Sequence, residues 1–178
     1  MRRPGRKPEL TEEQAYDLNH AFDYAVALLA RRDYSTKELK KKLADRGYTE
    51  HAFEVVVDDL ESMGKINDER YSQNVVAYRA RRGHGPARIR HELKKSGLSR
   101  DAIDDAVKGE DAPDFLGLAR AARARKFGPE LPTDRKERTR QARFLQYRGF
   151  STDHIRAALD GDPELDSGPD AGGEPDQS

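Results

Sequence analysis

Apolar residues recur at helical spacing along nearly the whole chain. Leu18, Phe22, Ala25, Val26 and Leu29 form one face of a first helix, Leu39 and Leu43 mark a second, and Phe53, Val56, Val57 and Leu60 a third. Tyr71, Val75 and Tyr78 continue the pattern, as do Leu116, Ala119 and Ala122 further on. Val55-Val56-Val57 favours a strand by propensity, but it sits inside a helical pattern, and no segment alternates convincingly. Start signals agree with an all-α reading. Thr11 with Gln14, and Ser35 with Glu38, have capping-box spacing. Asn67 precedes the helix carrying Tyr71, and Gly85-Pro86 places proline at a first helical position.

The punctuation between helices repeats. Arg46-Gly47-Tyr48-Thr49, Ser96-Gly97-Leu98-Ser99 and Arg148-Gly149-Phe150-Ser151 each read as a helix ending on glycine, one apolar residue, then a hydroxyl that caps the next helix. Gly47 and Gly97 are 50 residues apart, Gly97 and Gly149 are 52. At the first offset Val26, Ala30, Leu43 and Val57 are identical to Val76, Ala80, Leu93 and Val107. Such a period predicts three tandem three-helix repeats, about nine helices, in an elongated curved array. The expected bounds are a basic disordered segment over 1–12, repeats over 13–63, 64–110 and 111–160, and an acidic disordered tail over 161–178.

Charge changes this picture more than composition does. The net charge is zero, yet residues 160–178 hold seven acids and no base, which leaves +7 on residues 1–159. Residues 70–95 hold eight bases against one acid, residues 49–69 seven acids against one base, and residues 117–148 ten bases against three acids. First and second helices are broadly basic and third helices acidic, the footprint of something that meets a polyanion and a protein together. Tyr48, Tyr78, Phe127 and Tyr147 lie near basic residues, where an exposed ring could stack on a base, although packing in or near the core is the expected role.

Little catalytic chemistry is visible. There is no cysteine, which excludes disulfides and thiolate metal sites. His20, His51, His84, His91 and His154 have no metal-ligand spacing, and Gly83-His84-Gly85 lacks the strand and third glycine of a nucleotide-binding turn. No serine sits in a nucleophile motif. No enzyme activity, cofactor or metal is expected. No apolar run approaches the ~20 residues that span a bilayer, and Met1 to Pro8 is basic without an apolar stretch behind it, so a cytoplasmic protein is expected.

Several of these residues together resemble the RecX family of recombinase regulators. Arg31-Arg32-x-x-Ser35-x-x-Glu38-Leu39-x-x-x-Leu43-x-x-x-Gly47 is similar to that family's first repeat. Ile66-Asn67-Asp68-Glu69-Arg70-Tyr71 resembles the Asp-Glu-Arg-aromatic signature that opens its second, and Gly83-x-Gly85-Pro86-x-Arg88-Ile89-x-x-x-Leu93-x-x-x-Gly97 continues it. Lys126-Phe127 and Phe144-Leu145-x-x-Arg148-Gly149-Phe150 match the third. The resemblance spans roughly residues 19–160 and implies inhibition or modulation of RecA: binding the RecA–single-stranded-DNA filament in its groove, and depressing ATP hydrolysis and strand exchange in DNA repair, recombination and the SOS response. It transfers no catalytic residue.

Contact residues are nominated by charge alone: Arg31, Arg32, Arg70, Arg79, Arg81, Arg82, Arg88, Arg90, Lys94, Lys95, Lys126, Arg143 and Arg148. The expected partners are the RecA filament and single-stranded DNA, with the chain itself a monomer. Two other readings share these features. One is a plain DNA-binding protein with a helix–turn–helix pair such as residues 86–108, against which Asp101, Asp104 and Asp105 place acids on the presumed recognition helix. The other is a helical-repeat scaffold for an unrelated partner.

Overall fold

The structure, a computed structural model, describes residues 9–160; the expected acidic tail over 161–178 and most of the basic segment over 1–12 lie outside them. Ten helices and no strand are present among the described residues. They are α1 (Glu12–Tyr16), α2 (Leu18–Leu29), α3 (Thr36–Arg46), α4 (Glu50–Ser62), α5 (Asp68–Arg81), α6 (Pro86–Lys95), α7 (Arg100–Lys108), α8 (Phe115–Phe127), α9 (Arg135–Arg148) and α10 (Thr152–Asp160). The extra element is α1. Thr11 and Gln14 do form a capping box, but the helix it opens ends at Tyr16, and Asp17 starts α2 by accepting from Asn19 N and His20 N at 2.9 and 3.1 Å.

Packing divides the chain into two compact units, the first built from Met1–Val76 and Arg90–Ala112, the second from Ala77–Ile89 and Pro113–Ser178. In the first unit α2, α3 and α4 pack on one another, with α1 against α2 and α4. Leu39, Leu43, Val57 and Leu60 are wholly buried there. The face of α2 matches the expected one in part, with Phe22 and Leu29 half-buried against the core. Ala21, Ala25 and Leu28 are buried, whereas Leu18 and Val26 are 39% and 43% exposed.

The repeat in letters is therefore not everywhere a repeat in environment. Val26 is exposed while its counterpart Val76 is 2% exposed. Ala30, the exposed C-cap of α2, corresponds to Ala80, buried inside α5. In this register α2 stops a residue short of Ala30, and α5 runs one past Ala80.

Each unit also contains a joint made on a repeat glycine. In the first, Ser35 caps α3 by accepting from Glu38 N and donates its own hydroxyl to Ser96 O. Tyr71 OH lies 3.0 Å from Ser96 Oγ, which donates to Glu38 Oε1 at 3.3 Å. Burial pushes the Tyr71 phenol above its ordinary pKa. Gly97 follows at φ +88°, and a Cβ there would lie 2.8 and 2.9 Å from Lys37 Cβ and Cγ.

In the second unit α8, α9 and α10 pack on one another around Ala119 and Leu145, with Phe115, Phe150 and Leu159 also buried. Phe115, rather than the expected Leu116, enters the core at the start of α8. The joint here is made by backbone: Gly85 N donates to Arg148 O at 2.8 Å, and Ala87 N to Gly149 O at 3.0 Å. Gly149 stands at φ +90°, and a Cβ on it would meet Arg88 Cβ and N at 2.6 and 2.7 Å.

Candidate functional site

Six of the thirteen nominated cations fall in the first unit. Arg32 is an ion pair with Glu38 at 3.0 Å, donates to Asp33 O at 2.8 Å, and lies 3.6 Å above the Tyr34 ring. Burial, the largest single influence, works to lower its pKa, but the hydrogen bond and charge of Glu38 together with Tyr34 raise it overall. Arg70 donates to Gly64 O and Lys65 O, closing the turn between α4 and α5. Arg90 is paired with Asp104 of α7 and, by hydrogen bonding to it, holds the Asp104 carboxyl below its ordinary range. Arg31, Lys94 and Lys95 are exposed and have no ionic partner among the described residues.

The other seven fall in the second unit, where aromatic rings stand among them. Arg82 donates to Tyr78 OH at 3.0 Å, and the guanidinium carbons of Arg82 and Arg79 lie 5.4 and 5.5 Å from the Tyr78 ring centroid. Arg148 donates to Arg82 O at 3.1 Å and lies 5.2 Å from the Phe144 ring. Arg88 lies 5.9 Å from the Tyr147 ring. The left-handed turn at Gly83 brings further charge in, for a Cβ there would meet Arg125 Nη2 at 3.1 Å and Arg148 Nη1 at 3.7 Å. Arg81, Lys126 and Arg143 are exposed nearby in sequence, with no ionic partner among the described residues.

Exposure separates the four aromatics that sequence grouped together. Tyr147 is 78% exposed and Tyr78 49%. Tyr48 is buried, its hydroxyl 2.9 Å from His20 Nδ1, and Phe127 packs edge-on to Phe144 at 5.3 Å. Two rings therefore stand open to solvent beside their arginines and two belong to the packing. The arrangement of Tyr78, Tyr147, Arg82, Arg88 and Arg148 combines cationic groups with solvent-exposed rings, a combination that suits single-stranded nucleic acid.

The basic run over 117–148 is less available than its composition predicts. Arg123 is buried, and donates to Pro129 O and Glu130 O, both at 2.7 Å, tying down the turn after α8. Second and third helices also neutralise one another. Lys40 pairs with Glu54, and Arg90 with Asp104, at equivalent positions 50 residues apart; Arg138 pairs with Asp160. The bond to Glu54 raises the pKa of Lys40. Sequence reasoning did not single out Arg125, Arg100 or Lys108; only the turn at Gly83 and the packing of α6 with α7 make them members of a surface. Among the described residues no group of three His, Asp or Glu is placed to hold a metal ion, and no helix is long and apolar enough to cross a membrane.

Comparison with known proteins agrees with this architecture. Family models for the first, second and third three-helix domains of RecX match residues 21–60, 67–107 and 114–159. The chain is 42% identical over 136 residues to "Regulatory protein RecX" of Halorhodospira halophila, covering 76% of this chain and 84% of the relative. It is 44% identical over 137 residues to the protein of the same name in Pseudomonas fluorescens, covering 77% and 88%. A crystal structure of RecX from Lactobacillus salivarius superposes with a TM-score of 0.69 at 20% identity, over 84% of this chain and 96% of that one.

Proposed function

The chain belongs to the RecX family, and from that premise we propose that it regulates RecA recombinase by binding the RecA–single-stranded-DNA filament in the cytoplasm. The observation that carries this reading is the arginine-flanked pair of exposed tyrosines in the second unit. A filament presents both a recombinase surface and a DNA strand. Guanidinium groups answer phosphate or carboxylate, and open rings answer unstacked bases. A protein that holds one conformational state of the filament in this way opposes the motions of ATP hydrolysis and strand exchange, through its differential affinity for the two states.

Arg81, Arg82 and Arg88 are the test. Reversing all three to Glu is expected to abolish most inhibition of RecA strand exchange while circular dichroism shows an intact helical protein. Arg90 is left out because Asp104 depends on it. Full inhibition by the folded triple variant would remove this face from the proposal. A plain DNA-binding protein is the second reading, favoured by the same rings; it predicts that affinity for free DNA, falling steeply with salt, accounts for every effect on the recombinase.

A further inference from the structure

In the first unit, the α6 residues from Arg90 onward and α7 border a groove of about 470 Å³ that stands apart from the exposed tyrosines. Its floor is apolar, made by Leu98 and Ile103. Its walls are basic. Arg90 and Lys94 stand one turn apart on α6, and Arg100 and Lys108 lie two turns apart on α7, with Asp104 between them. The side chains of Lys94, Arg100 and Lys108 make no salt bridge or hydrogen bond among the described residues, and Arg100 and Lys108 act on Asp104 only through their charge.

We propose that this groove binds an acidic peptide segment that carries one large apolar side chain. Three observations favour a peptide over a nucleic acid. No aromatic residue lines the groove, so it offers nothing on which a base could stack. The Leu98–Ile103 floor would be idle beneath a phosphodiester but is suited to an apolar side chain, and the volume accommodates one. One carboxylate already sits there: Asp104 on Arg90 shows the type of group the walls accept. Carboxylates on either side of the apolar residue would meet Lys94, Arg100 and Lys108, since the four cations of the groove face only the one carboxylate of Asp104 within it.

The probe is a short fluorescein-labelled peptide of aspartates around a single leucine, titrated with the full chain and followed by fluorescence anisotropy. Saturable binding is expected, weakened about tenfold or more when the leucine is replaced by serine. Lys94→Glu with Arg100→Glu is expected to weaken it by a similar factor, and Lys94→Arg with Arg100→Lys to retain it. Lys108→Glu, at the exposed end of α7, supplies a single-site variant, expected to weaken binding as well, should the double variant lose helicity. Absence of binding overturns the proposal. So does binding indifferent to the leucine, or a loss in the charge-reversed variants that is as large for oligothymidylate as for the peptide. None of these outcomes depends on inhibition of a recombinase, so this proposal and the filament reading fail separately.

Discussion

Two surfaces of the molecule carry excess positive charge and differ in what stands beside it. In the second unit, Arg79, Arg82 and Arg88 lie over the rings of Tyr78 and Tyr147, which are open to solvent. In the first, Lys94, Arg100 and Lys108 border an apolar floor with no ring. Charge counts along the sequence make these regions look alike. The neighbouring apolar groups assign different ligands to them, because a π face answers a base and an aliphatic pocket answers a side chain. Net charge predicts attraction to acidic partners; the company it keeps predicts which partner.

The largest expected effect comes from breaking the joint behind the aromatic face. Gly149→Val combines a left-handed residue with a clash against Arg88, and should cost roughly 2–4 kcal/mol and lower the melting temperature by several degrees. Gly97→Val meets Lys37 and should also destabilise the protein. Gly47→Val suffers only the backbone cost of about 1–2 kcal/mol, since the nearest atom to a Cβ is Leu10 Cδ1 at 3.8 Å. Equal shifts in melting temperature for Gly47→Val and Gly149→Val would show that the second joint is not tight.

Sharper, and smaller, is removal of the rings. Tyr78→Ala with Tyr147→Ala should weaken binding of oligothymidylate by about 1–3 kcal/mol per base stacked, while leaving the acidic peptide's affinity unchanged. Parallel losses for both ligands, measured by anisotropy, would erase the distinction between the two surfaces.

Smallest is the pH effect at the groove. Arg90 lowers the folded-state pKa of Asp104, so this pair contributes stability that is present above the ordinary carboxylate range and is lost as pH falls through the folded value. Asp104→Asn should therefore show a slightly flatter loss of stability on the acid side in denaturant titrations. An acid limb identical to that of the unsubstituted protein would contradict the pair's role.

The sequence made the helices and their boundaries readable because caps are local. Ser35, Thr49 and Ser99 accept from the backbone of the helices they open, and Gly47 and Gly149 take the left-handed turn that ends α3 and α9. On α2 it placed Phe22, Ala25 and Leu29 toward the core correctly but added Leu18 and Val26, which are exposed, because apolar periodicity alone does not fix the edges of the buried stripe. The candidate site was legible as a basic region but not as a surface. Nothing in the sequence separates the buried Arg123, bonded to two carbonyls, from its exposed neighbour Arg125, or the packed Tyr48 from the open Tyr147. Those distinctions arise from contacts between helices, which a count of charges does not contain.

Single-stranded-DNA-dependent ATP hydrolysis by the cognate RecA, titrated with this protein at two DNA concentrations, tests filament regulation most directly. Inhibition at amounts well below one chain per recombinase, and not relieved by added DNA, is the predicted result. Inhibition that disappears when DNA is added, or no inhibition at any ratio, would contradict it.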